Sequence, residues 1–194
     1  MLDVDPRPSR SPRKERTIRW IVHGERAVYT SPWVALRLAD VEIPGGRRFE
    51  HHVVRVPLEA AGCVVHDPDR GVLLLWRHRF ITDTWGWEIP AGAVDEGESP
   101  GEAAAREVWE ETGWQPGPLE HLVSYQPSNG LSDQRFHVFL ARGAEHVGDP
   151  IDVGESERIE WRSPSDVRAD IARKEMPDGL SLTALLYALA FGRL

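Results

Sequence analysis

Between residues 60 and 79 the chain carries two apolar runs, AAGCVVHD and GVLLLWRHR, joined around Asp67-Pro68-Asp69. Short runs rich in valine and leucine, bounded by turn formers, predict two buried strands. Upstream, from Trp20 to Pro57, VYTSPWVALRLADVEI alternates apolar and polar residues near its middle. Pro44-Gly45-Gly46 then marks a turn before FEHHVVRV, which predicts a small antiparallel sheet. The stretch Trp85-Gly86-Trp87 leads into Glu88-Ile89-Pro90-Ala91-Gly92, read as loop. A helix is expected from Ser99 to Gly113. Ser99 is a good N-cap, Pro100 suits the first helical position, and Glu102 completes a capping box. Ala103 to Ala105 are strong helix formers, and Gly113 is a natural C-terminal cap. LEHLVSY, RFHVFLAR and RIEWRS predict further strands, with a turn-rich loop at Pro127-Ser128-Asn129-Gly130. PSDVRADIARK predicts a helix starting near Ser163. SLTALLYALAF predicts a last, apolar helix after Pro177-Asp178-Gly179. This order of elements fits an α/β or α+β layered domain. It divides the chain into a disordered leader (1–16), N-terminal antiparallel strands (17–57) and a main domain (58–194).

Composition narrows the function classes. The chain has 194 residues, enough for one domain with a sizeable core. A net charge of −8 argues against a nucleic-acid footprint. An anionic substrate stays open, because a bound cation inverts the local field. No apolar run approaches a membrane span, and no apolar stretch follows the basic residues of the leader, so the expected compartment is the cytoplasm. The one cysteine, Cys63, lies in an apolar run and reads as a buried small residue.

The chemistry concentrates on the predicted helix. Glu107, Glu110 and Glu111 stand at i, i+3 and i+4 and share a face. Three neighbouring carboxylates repel unless a cation neutralises them, and hard oxygen donors select Mg²⁺ or Mn²⁺. On spacing alone, a solvated acidic face accounts for them equally well. The wider string decides between the two: Gly92, five residues, Glu98, seven residues, Arg106-Glu107-Val108, Trp109, Glu110-Glu111, Thr112, Gly113-Trp114. This resembles the Nudix box at each defining position. A chance match is roughly one in 10¹⁰ windows.

The resemblance implies an α/β/α sandwich with a mixed sheet and a small N-terminal antiparallel sheet. It also implies hydrolysis of a nucleoside diphosphate linked to another moiety. By position, Glu107, Glu110, Glu111 and the backbone carbonyl of Ala91 would hold Mg²⁺. Arg106 would orient the acids, with Glu98 as its partner. Around the box the chain looks like the ADP-ribose pyrophosphatase branch. Glu88-Ile89-Pro90-Ala91-Gly92 resembles that branch's lead-in, and Arg77-His78-Arg79 precede it at a similar remove. Residues 153–159 resemble its acidic loop, which makes Glu155 or Glu157 a candidate general base beside the box acids themselves. The N-terminal sheet resembles the element through which such proteins form homodimers by exchange. The stretch 126–134 departs from the branch, with Asn129 in place of proline and Gln134 in place of glutamate.

These readings favour a nucleotide sugar as substrate, with ADP-ribose first. Trp85 or Trp87 would stack on the base, and Arg77 or Arg79 would hold a phosphate or ribose oxygen. Core packing or a dimer seam is the competing role for both tryptophans. Trp109 and Trp114 are expected in the core. Two other functions remain open at this point. One is pyrophosphohydrolysis of (deoxy)nucleoside triphosphates. The other is a non-catalytic module sensing a nucleotide sugar, against which the intact box acids speak.

Overall fold

The computed structural model describes residues 18–152 and 154–194, so the expected leader lies outside the described residues. Strands β1 (Ile21–Thr30), β2 (Ala35–Glu42) and β3 (Arg48–Arg55) form an antiparallel sheet in that order. Its inner residues are few: Ala35, Ala39 and Val41 are buried, while all ten residues of β1 are exposed. The sheet is stitched to the rest of the chain through the stretch that departs from the branch pattern. The Val54 N–H donates to the Leu131 carbonyl (2.8 Å), and the Val56 N–H donates to the Asp133 carboxylate (3.0 Å).

The main sheet has seven strands. They are β4 (Ala60–Asp67), β5 (Gly71–Arg79), β6 (Thr84–Glu88), β7 (Ala91–Ala93), β9 (Leu119–Tyr125), β10 (Phe136–Arg142) and β12 (Arg158–Arg162). The order along its main path is β12-β5-β4-β10-β9, with β6 on β5 and β7 on β4. Only β4 and β10 run parallel, so the sheet is mixed. The short strands β8 (Trp114–Pro116) and β11 (Ala144–His146) pair separately. Alternation along β4 and β5 sends Cys63, Val65 and Leu73 to one face, where they pack on Ala103, Ala104 and Val108 of helix α1 (Pro100–Thr112). Val64, Val72 and Leu74 go to the other face. There they meet Val167 of α2 (Pro164–Ala172) and Leu180, Ala184 and Leu185 of α3 (Gly179–Ala190). The result is an α/β/α sandwich beside a small antiparallel sheet, the architecture expected from the sequence.

Several details correct the sequence reading. Thr84–Glu88 and Ala91–Ala93 are strands where a loop was expected. Each is held by a neighbour, β5 and β4 respectively, and not by any periodicity of its own. Trp109 is 39% exposed on the outer side of α1, whereas Trp114 packs edge-on against Trp161 as expected. Cys63 is fully buried, and burial pushes its thiol up to about 12.

One polar cluster ties α2 to the sheet. Asp170 is fully buried and accepts two hydrogen bonds from Arg162 of β12, at 2.7 and 2.9 Å, and another from Arg173. The Arg162 guanidinium in turn lies 4.7 Å over the Trp87 ring.

Candidate active site

Helix α1 begins where its sequence says it should. Ser99 accepts from the Glu102 N–H, Glu102 reaches back to the Ser99 N–H (2.9 Å), and Pro100 fills the first turn. It ends on Gly113, whose φ of +72° is left-handed. A side chain there would also strike the Gly148 carbonyl oxygen, at 2.1 Å from an added Cβ. That close approach brings residues 147–152 against the end of the helix. The N–H groups of Ile151 and Asp152 both donate to the Glu110 carbonyl, at 2.8 and 3.1 Å.

The acids of the helix are distributed over two arginines. Arg106 forks onto Glu98, with Nε and Nη2 each 3.0 Å from a carboxylate oxygen. Its Nη1 reaches Glu107 (2.7 Å) and Glu110 (2.9 Å), and its Nη2 also donates to the Ala93 carbonyl (2.9 Å). The hydrogen bond from Arg106 holds the Glu98 carboxyl below its usual range, and the same lattice raises Arg106. Glu111 is turned the other way. It is 4% exposed and accepts from Arg77 Nη1 (2.5 Å) and from the Ala91 N–H (2.9 Å). Burial pushes its carboxyl up to about 7, against the pull of Arg77 and the Ala91 N–H. Burial also raises Glu107.

The lead-in and the helix interlock at Gly92. A Cβ on that residue would sit 2.2 Å from a Glu107 carboxylate oxygen. The motif glycine therefore exists to let an acid lie against the backbone. Among the described residues, no three histidine, cysteine, aspartate or glutamate side chains are gathered as a metal-ligating group. The residues nevertheless suit a hard divalent cation. Glu107, Glu110 and Glu111 are oxygen donors at one end of the helix, two of them are desolvated, and the Gly92 backbone leaves the room that Glu107 occupies. Ala91 lies beside Glu111 through its N–H, so its backbone belongs to the same cluster.

Arg106 is where we expect a scaffold effect. Arg106→Lys keeps the charge and loses the planar fork onto Glu98. The variant should show weaker metal dependence and a lower unfolding midpoint. A variant matching the parent in both metal titration and thermal unfolding would remove that role.

The remaining expected site residues divide sharply. Arg77 is buried and bridges Glu111 to Glu155, which it bonds through Nη2. Glu155 is thus brought to the box acids, while Glu157 is exposed and fixes the start of β12 through its N–H on the Trp76 carbonyl (2.9 Å). Arg79 holds Glu88, itself 2% exposed, through a forked pair, and keeps its outer half open. Trp87 is buried against Trp76 under the Arg158 and Arg162 guanidinium groups and has no face left for a base. Trp85 is half-exposed but stacks over His78 and Trp76. The β5–β6 register pairs His78 with Trp85 and Arg77 with Gly86. Both tryptophans therefore face away from Arg77 and Glu111, a correction to the expected stacking. Glu88 was missed as a partner for Arg79, since its signal lies in hairpin register and a loop was expected there.

The chain is similar to known proteins over most of its length. Residues 56–181 match the family model described as NUDIX domain, and residues 20–54 match the nucleoside diphosphate sugar hydrolase N-terminal domain. A CMP-5'-(N-acetyl-N-hydroxy-3-aminopropyl)phosphonate hydrolase of Streptomyces rubellomurinus is 46% identical over 156 residues, covering 80% of this chain and 75% of that protein. An ADP-ribose pyrophosphatase of Mycobacterium tuberculosis is 30% identical over 166 residues, covering 84% of this chain and 80% of the relative. A crystal structure of an ADP compounds hydrolase shares the fold, with a TM-score of 0.76 and 19% identity over 89% of this chain and 94% of that one.

Proposed function

The chain belongs to the Nudix family of hydrolases, and on that premise we propose that it cleaves the phosphoanhydride joining a nucleoside 5'-monophosphate to a second phosphorus-bearing moiety. The observation that carries this reading is the intact set of box acids locked to the Gly92 backbone and to two arginines. ADP-ribose is one substrate of this class. A nucleoside monophosphate joined to a phosphonate, which the name of the Streptomyces relative indicates for that protein, is another. The match of residues 20–54 to a nucleoside diphosphate sugar hydrolase element supports the class over a triphosphate.

In this reading Glu107, Glu110, Glu111 and the Ala91 backbone would hold Mg²⁺ or Mn²⁺. An ion bound there would supply positive charge to the anhydride oxygens and lower the pKa of a water. Arg106 keeps Glu107 and Glu110 aimed in one direction, with Glu98 fixing the plane of its guanidinium. Glu155, drawn toward the acids by Arg77 and only partly desolvated, is the carboxylate positioned to take a proton from the attacking water. Arg77 and Arg79 supply positive charge beside the acids. The ten exposed residues of β1 include Ile21, Val22, Val28 and Tyr29. An open edge of that kind supports a homodimer through the N-terminal sheet. A monomer mass by sedimentation equilibrium would remove that assembly.

A substrate panel tests the function. ADP-ribose, a CMP–phosphonate anhydride, UDP-glucose, GDP-mannose and dGTP are compared by kcat/KM with Mg²⁺ and after chelation. We expect a nucleoside monophosphate as one product, no turnover with chelator, and a diphosphate-type substrate in first place. If dGTP exceeded each of the others by tenfold, triphosphate pyrophosphohydrolysis would replace this class.

A further inference from the structure

Since Trp85 and Trp87 face away from the acids, another group must meet the base if this chain reads one. The turn between β5 and β6 presents it. Phe80 and Ile81 are each 83% exposed, immediately after the strand that carries Arg77 and Arg79. The turn is braced: His78 Nε2 bonds the Asp83 carboxylate (3.0 Å), the Thr82 and Thr84 hydroxyls bond each other (2.7 Å), and Asp83 takes a left-handed φ of +51°. Two apolar side chains are thereby held out from a fixed backbone. An aromatic ring so exposed gains nothing for folding and keeps its face free for a ligand.

Its surroundings say which ligand. A cavity of about 310 Å³ lies beside the turn, lined by Arg77, Arg79, Phe80, Ile81 and Glu155. Two arginines and an aromatic ring thus line one cavity. Arg77 connects it directly to Glu111. A group bearing phosphate at one end and a flat ring at the other matches that arrangement. A second cavity of about 410 Å³ shares Arg79 and Ile81 and is lined also by Thr84, Pro177 and Asp178.

We propose that Phe80 is the stacking face for the nucleobase of the substrate, with the attached phosphate on the Arg77–Arg79 side of the same cavity. This rests on the functional reading above, which supplies the nucleotide. Stacking on an aromatic ring tolerates any base, so the site admits adenine and cytosine alike. Removing the ring should cost about tenfold in affinity for a nucleotide and nothing for a phosphate ester without a base.

The test uses the full chain with Mg²⁺ and calorimetric binding of AMP, CMP and ribose 5-phosphate, comparing the parent with Phe80→Ala and Phe80→Tyr. We expect Phe80→Ala to weaken AMP and CMP by about tenfold, to leave ribose 5-phosphate unchanged, and Phe80→Tyr to keep parental affinities. Equal loss of ribose 5-phosphate would mean a general disturbance of the site and overturn the assignment. A change in assembly mass confined to Phe80→Ala would make Phe80 a subunit contact and also overturn it. Unchanged nucleotide affinities in Phe80→Ala beside an active parent would overturn the inference alone. A parent that neither hydrolyses the substrate panel nor binds AMP or CMP would overturn both the inference and the functional reading.

Discussion

Glu110→Gln and Glu111→Gln are each expected to lower kcat by about two to three orders of magnitude at saturating Mg²⁺, the scale on which loss of one preorganised charge-stabilising group acts. The two should differ in stability. Glu110 is part-exposed and shares Arg106 with Glu107 and Glu98, so its neutralisation relieves repulsion and leaves the fork satisfied. Glu111 is buried, with Arg77 and the Ala91 N–H as donors. The amide oxygen of Gln can still accept from Ala91, and the carboxylate it replaces is already disfavoured by burial, with a pKa near 7. Loss of the charge opposite Arg77 opposes that gain. The net change should stay within about 1–3 kcal/mol. Thermal unfolding beside single-turnover kinetics separates the two effects, and near-parental turnover in both variants would remove the assignment of these acids. In the same series, Glu155→Gln should depress kcat with metal binding intact. If kcat is unchanged, the base lies within the box.

The largest expected stability effect lies away from the acids. Asp170→Ala should destabilise the fold by about 3–5 kcal/mol, because Arg162 loses both bonds to a fully buried carboxylate and is left with its pairing to the part-exposed Glu160. Arg173 is half-exposed and turns to water when its partner is lost, so Arg162 bears most of the cost. Asp170→Asn keeps one acceptor and should fall between. The measurement is urea unfolding at constant m-value. A loss below about 1 kcal/mol for Asp170→Ala would show that the cluster is solvated enough to rearrange.

Helix α1 and the capping role of Gly113 were legible because caps, alanines and carboxylate spacing are local signals, complete within the segment from Ser99 to Gly113. Strands β4 and β5 were legible because their apolar runs are buried on both faces. Strand β6 was not. Its five residues hold a glycine and two tryptophans, and only the pairing with β5 makes them a strand. That same register decides which way Trp85 and Trp87 face, and it buries Trp87 against Trp76, the packing role that competed with stacking. Gly86 is required because Pro177 passes 2.3 Å from where its Cβ would be, a contact between segments far apart in sequence. Asp170 reads as one more polar residue of an amphipathic helix, and its burial follows from where β12 places Arg162. The expected site residues divide the same way. The partnership of Glu98 with Arg106 was implied by the resemblance to the Nudix box, and the structure brings the two together. The contact of Arg77 with Glu111 joins a strand to a helix and left no trace in either segment alone.

The parallel pairing of β4 with β10 sets the order in which this chain can become whole. Ala60 meets Phe136 and His66 meets Arg142, so the strand beside the first core strand is made long after it. Everything between, including the thirteen residues of α1, leaves the ribosome before β10 exists. A helix of that length is marginal alone in water. The apolar side of α1 packs on β4, yet Ala141 of β10 closes the same cluster. The nascent chain therefore carries its acidic helix half-docked until the β10 segment emerges, and the long loop closure makes folding slow compared with a helical bundle of equal size. Arg77 precedes the acids in the chain, whereas Glu155, which bonds the same arginine, comes only from its last third.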